Sequence, residues 1–120
     1  MKPAILIFFV LCLLLPSCQS KRDKCVSVIR LMKTEALATD AVVKKKADAP
    51  SAAEHAKLIE ETASEVRGME FKEKKLKSAI QSYLGALGAL VDPKTSPADQ
   101  AATLTYLESS RRRVADECNR

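Results

Sequence analysis

Tryptophan is absent from this 120-residue chain, aromatics make up 4% of it, and it holds three glycines and a single histidine. Each scarcity excludes something. With so few rings the core has to be aliphatic, assembled from Leu, Val, Ile, Ala and Met. One histidine, His55, leaves no second imidazole for a metal centre, and no Cys–His nucleophile arrangement occurs. Three scattered glycines make no phosphate-binding loop, and there is no nucleophile elbow. The lack of stacking aromatics speaks against nucleic-acid binding. Carboxylates are plentiful at Glu54, Glu60, Glu61, Glu65 and Glu70, but nothing in the pattern sets two of them in a cleft, so they read as a solvated helix face. The expectation is a non-enzyme with no cofactor and no metal, in which His55 is a solvated residue near a helix start.

Acidic residues are missing as well, until Asp23. The chain opens with Met1-Lys2 and then runs through AILIFFVLCLLL, residues 4–15, without a charge. About a dozen apolar residues fall short of the roughly 20 that a bilayer span needs, but they fit the h-region of a secretory signal. A helix apolar on every side would otherwise need a partner surface that a small aliphatic domain does not have to spare. Export is the expected fate, with residues 1–17 as the signal peptide.

The signal ends in Leu15-Pro16-Ser17-Cys18, which resembles the lipobox of bacterial lipoprotein precursors. That motif takes a Leu-like residue, a small or apolar one, then Gly, Ala or Ser, then Cys. Leu15, Ser17 and Cys18 match, while Pro16 stands where Ala, Ser, Thr or Val is usual. The resemblance implies that the Cys18 sulfur receives a diacylglycerol, that cleavage precedes it and that the new amino group is acylated. Two or more acyl chains hold a protein firmly where one holds it marginally. Gln19 replaces the Asp that resembles an inner-membrane retention signal, which favours the outer membrane of a bacterial envelope. The alternative is cleavage after Ser20, giving a soluble secreted or periplasmic protein. Either way Cys25 and Cys118 remain as an even pair in an oxidising compartment, and a disulfide between them is expected.

Residues 18–22 read as a short tether and residues 23–120 as an all-α domain, a small antiparallel bundle of three or four helices. The first helix is expected over 23–46, with Cys25, Ile29, Met32, Ala36, Thr39 and Val43 on one face, Val28 and Leu31 widening it, and Lys44–Lys46 in its last turn. Pro50 breaks the chain, and Ser51 with Glu54 forms a capping box. Some forty residues then pass without a proline. They make either one rod of about 60 Å or two helices parted near Gly68–Phe71, the favoured reading. Gly85 and Gly88 in LGALGAL read as small residues filling a tight bundle. Ser96, Pro97 and Asp99 start the last helix, and Arg111–Arg113 load its C-terminal end.

A Cys25–Cys118 link restricts the topology. The two residues meet in an up-down-up-down four-helix bundle, or when both outer helices fold back along a long central rod. They lie apart in a plain three-helix bundle. The net charge of +5 is unevenly spread: residues 48–70 carry six acids and two bases, and residues 71–77 carry four lysines and one acid. A basic surface of Lys72, Lys74, Lys75, Lys77, Arg111, Arg112 and Arg113, with the Lys21-Arg22-Lys24 leader, is expected to gather where the lipid enters and to face anionic headgroups. The sequence thus describes a small cell-envelope lipoprotein with a structural, accessory or protein-binding role and an envelope protein as partner. The alternatives are a soluble secreted helical inhibitor or effector, and a binder of anionic lipid or ligand.

Overall fold

The computed structural model describes residues 20–120, which form four helices and, among the described residues, no strand: α1 (Lys21–Val43), α2 (Ala52–Arg67), α3 (Lys74–Val91) and α4 (Pro97–Cys118). The expected signal peptide, residues 1–17, and the expected lipidation site Cys18 lie outside the described residues. Three of the four starts are set by side chains written in the sequence. Ser20 caps α1 by accepting the Asp23 N–H at 3.2 Å, and Ser96 does the same for Asp99 ahead of Pro97. Ser51 and Glu54 close a reciprocal capping box on α2. The start of α3 is different: Glu73 occupies the cap position without a side-chain bond, and the first turn holds no acid.

The helices form a closed ring, with α1 against α2, α2 against α3, α3 against α4, and α4 back against α1. The α3–α4 seam is the most extensive and the α1–α4 seam the least. The middle stretch breaks where Gly68 caps α2, and Phe71 turns into the core two residues before α3 is capped. Four helices with alternating direction therefore replace the rod, and the start of α1 comes beside the end of α4. Cys25 and Cys118 are bonded there, with Cα atoms 5.7 Å apart. The covalent link thus lies on the seam where packing is thinnest.

Two expectations about packing need correction. On α1 the buried set is Lys24, Cys25, Val28, Met32, Glu35 and Thr39, whereas Ile29 and Ala36 are half-buried and Val43 is exposed. Apolar side chains surround this helix, so their spacing alone does not select a phase. On α3 the core face is Leu76, Ala79, Ile80, Tyr83, Ala86 and Leu87. Gly85 and Gly88 are exposed, and a Cβ added at either would meet nothing within 4 Å, so they do not admit a close neighbour.

The helix ends differ in detail from the expected ones. α1 begins at Lys21, inside the stretch taken as tether, because Ser20 supplies a cap there. It ends at Val43, with Lys45 in the left-handed region at φ 52°. The Lys46 N–H bonds to the Ala41 carbonyl and the Lys45 N–H to that of Val42, which is the Schellman closure. Lys44–Lys46 therefore follow the last turn instead of occupying it.

Candidate functional site

Glu35 is fully buried at mid-height of α1, and every helix sends a side chain toward it or its partners. Its Oε1 accepts from the Tyr83 hydroxyl of α3 at 2.7 Å and from Arg111 Nε of α4 at 3.0 Å. Its Oε2 accepts from Arg111 Nη2 and from the Thr39 hydroxyl, the latter at 2.7 Å. Two donors on each oxygen fill the carboxylate, and the Arg111 pair is bidentate. Thr39 has one hydroxyl proton and gives it to Glu35. The 2.9 Å contact between Thr39 Oγ1 and His55 Nε2 of α2 must therefore be a bond donated by the imidazole. That assigns the proton of neutral His55 to Nε2. Burial pulls the His55 pKa below its ordinary value, against a smaller opposing pull from the Glu35 charge. Burial and the neighbouring carboxylate push the Tyr83 hydroxyl far above its usual range. His55 is thus a link between α1 and α2, not the solvated residue its position beside Glu54 implied.

A buried acid, an arginine, a tyrosine and a histidine in one chain make a structural tie here. Glu35 is shut from solvent and all its acceptor positions are engaged, so it has no position left from which to take a proton from a substrate. Among the described residues no buried side-chain nitrogen or oxygen lacks a hydrogen-bond partner. No group of three or more His, Cys, Asp or Glu among them is placed to hold a metal ion.

The basic surface divides into two levels. Lys72, Lys74, Lys75 and Lys77 are exposed at the end of the bundle that holds the start of α1. The arginines sit higher: Arg111 precedes the end of α4 by seven residues, about 10 Å along the axis. Arg113 reaches Ser82 of α3 at 3.4 Å, and Arg112 pairs with Glu108 at 2.8 Å. Arg111 does not belong to an exposed patch at all, since its guanidinium is drawn inward by Glu35 and its side chain is only 20% exposed. Lys24 also leaves the collar. It is buried and donates to the Glu70 carbonyl, tying α1 to the α2–α3 link.

The lysines that stay exposed stand against the local electrostatics. Lys74, Lys75 and Lys77 occupy the first turn of α3, where the helix dipole is positive and no side chain caps the free N–H groups. Asp40, by contrast, is an ordinary surface acid whose carboxyl is held below the usual range, chiefly by a hydrogen bond from Lys44.

With this geometry in hand, the chain was compared with protein-family models, with curated proteins and with solved structures. None of the three gave a match. The reading of function rests on the residues themselves.

Sequence reasoning brought Cys25 and Cys118 together correctly and passed over the Glu35 network. The signal was present. Glu35 falls between Met32 and Thr39 at three- and four-residue steps, and reading it as part of that stripe puts a carboxylate on the core face. A buried acid then demands a cation, and Arg111 is the residue of the arginine triplet that shares the inward stripe of Leu107, Val114 and Cys118.

Proposed function

We propose that this protein is a lipid-anchored component of the bacterial cell envelope, with a structural or protein-binding role and no catalysis. The observation that carries the reading is Ser20. Its side chain caps α1 and its carbonyl accepts the Lys24 N–H at 3.1 Å, so the folded domain uses the residue two places after Cys18. Cleavage before Cys18, as the lipobox implies, keeps that cap. Cleavage after Ser20 removes it and leaves a charged amino group at the positive end of the helix, a loss of about 1 kcal/mol from the cap alone.

The disulfide supports the same compartment. With Cys25 and Cys118 joined, Cys18 has no described cysteine to pair with and is left for the lipid. No described helix is long and apolar enough to cross a membrane, so among the described residues attachment would depend on the lipid. Only Gln19 and Ser20 separate Cys18 from the end of the bundle bearing Lys72, Lys74, Lys75 and Lys77. Anionic headgroups there would offset the cations gathered on the uncapped α3.

Fractionation of cells expressing the wild type and Cys18→Ala tests the proposal. The wild type is expected in the membrane pellet, resistant to high salt and carbonate but released by detergent, and the variant is expected to accumulate as unprocessed precursor. Recovery of wild type in the soluble fraction would contradict it.

A further inference from the structure

The outer side of α1 carries a second, unused pattern. Between Arg22 and Leu37 a shallow groove of about 690 Å³ runs along the helix, closed on one side by Cys118 and Asn119 at the end of α4. Its α1 wall combines the apolar Val26, Ile29 and Leu37 with the cationic Arg22, Arg30 and Lys33. Val26 is 50% exposed and Leu37 74% exposed, and no carboxylate lines the groove. Arg22, Arg30 and Lys33 form no ion pair among the described residues. Asp40, one turn beyond on the same side, is already engaged by Lys44 at 3.1 Å and Lys46 at 3.3 Å.

We infer that this face of α1 docks on an anionic lipid bilayer, so that the bundle lies on its side against the membrane instead of standing away from it. The inference rests on the proposed anchoring of Cys18 and replaces contact through the Lys72–Lys77 end with contact through α1, which lies across the ring from α3. Three features select lipid as the occupant. The chain enters α1 at the foot of the groove, and only Gln19 and Ser20 separate Cys18 from Lys21, a chain length of at most about 10 Å. From Arg22 to Leu37 the face extends about 22 Å, longer than the roughly 8 Å over which charges act at physiological salt. An upright bundle would leave Arg30 and Lys33 beyond the reach of the headgroups, whereas a reclining one brings all three cations and all three apolar side chains to the interface. A second copy is a poor occupant, because two such faces would set cations opposite cations.

The absence of tryptophan makes a direct test possible. Leu37→Trp places a single fluorophore on the face. Tyr106→Trp places one on the opposite side of α4, on the helical face shared with Arg113, which points to Ser82 of α3. The processed, full-length protein is reconstituted with vesicles of phosphatidylcholine alone or with one quarter phosphatidylglycerol, with and without nitroxide-labelled lipid. On the anionic vesicles the residue-37 tryptophan is expected to shift to shorter wavelength and to be quenched at least twofold more than the residue-106 one. The difference should collapse on adding Arg30→Glu and Lys33→Glu, and in 1 M salt. Equal quenching at the two positions overturns the inference, as does a blue-shifted residue-37 emission without vesicles, which would mean that protein already covers the face. Flotation with neutral vesicles reports the anchor separately. A protein that floats but shows no residue-37 quenching refutes the orientation and spares the anchor. One that does not float on neutral vesicles, yet is quenched at residue 37 on anionic ones, supports the face and removes the anchor.

Discussion

Replacing Arg111 with Met exposes what the buried carboxylate contributes. Arg111 supplies two of the four donors to Glu35 and, among the described residues, its only ion-pair partner, while Met keeps most of the aliphatic stem in place. Removing one partner of a buried ion pair costs about 3–5 kcal/mol, because the other charge stays behind in a medium that solvates it poorly. Glu35 is fully buried, so the cost applies in kind. Two circumstances bring it to the lower end. The Arg111 side chain is 20% exposed, so water can follow the departing guanidinium, and Tyr83 and Thr39 remain as donors. A loss of about 3 kcal/mol is expected, which lowers the melting temperature of a domain this size by about 12 °C or more.

The assay is urea unfolding of the oxidised protein at pH 7, followed by helix dichroism. The second half of the cycle is Glu35→Gln in the Arg111→Met background. Gln is neutral and still accepts a hydrogen bond from Tyr83, so it should recover about 1 kcal/mol or more. Two results refute the reasoning: a loss below about 1 kcal/mol for Arg111→Met, or a Glu35→Gln change that destabilises the double variant further.

Reducing Cys25–Cys118, or replacing both with Ser, releases a cross-link spanning 93 residues and should lower stability by about 4–5 kcal/mol in urea titrations. An unchanged midpoint would show that the seam holds without it. Burial disfavours protonated His55, so its contribution is fully present above its unfolded value near 6.5 and is lost as pH falls below that and through the lower folded value. The urea midpoint should therefore drop between pH 7.5 and 5, and the drop should be smaller in His55→Gln; parallel curves would rule the effect out. Gly85→Ala and Gly88→Ala should each stabilise by about 0.5–1 kcal/mol, since the new methyl meets nothing. Lys45→Gly should gain about 1 kcal/mol by relieving the left-handed backbone. Thermal melts decide both, and a lower midpoint in any of these variants contradicts the local reading.

Helix starts were the most legible part of the fold. Ser51-x-x-Glu54 and Ser96-Pro97 act through neighbours in sequence, and the structure uses both as read. The Cys25–Cys118 link was legible because two cysteines remained once the leader was set aside, and its geometry excluded a plain three-helix bundle. The phase of α1 was not legible, because this helix has two usable faces. Val28 and Met32 point to the core while Val26, Ile29 and Leu37 offer a competing stripe, and only the packing of three other helices chooses between them. The Glu35–Arg111 pair was hidden for a related reason. Composition places acids and arginines outside by default, and a partner 76 residues away cannot be found by helix spacing. The basic collar failed in part for the same cause, since the triplet Arg111–Arg113 spans three directions on α4 and only two of its members remain exposed.

The claim on which the account depends is that Cys18 is the first residue of the mature chain and carries lipid. The intact mass of the purified protein, with sequencing of its N-terminal peptide, tests it directly in the wild type and in Cys18→Ala. The account predicts a wild-type chain that begins at Cys18, is heavier by its acyl groups and retains Ser20 as the cap of α1, beside a variant that keeps its leader. A wild-type chain that begins at Lys21 at its bare peptide mass would contradict it, and would leave a secreted bundle whose first helix lacks its cap.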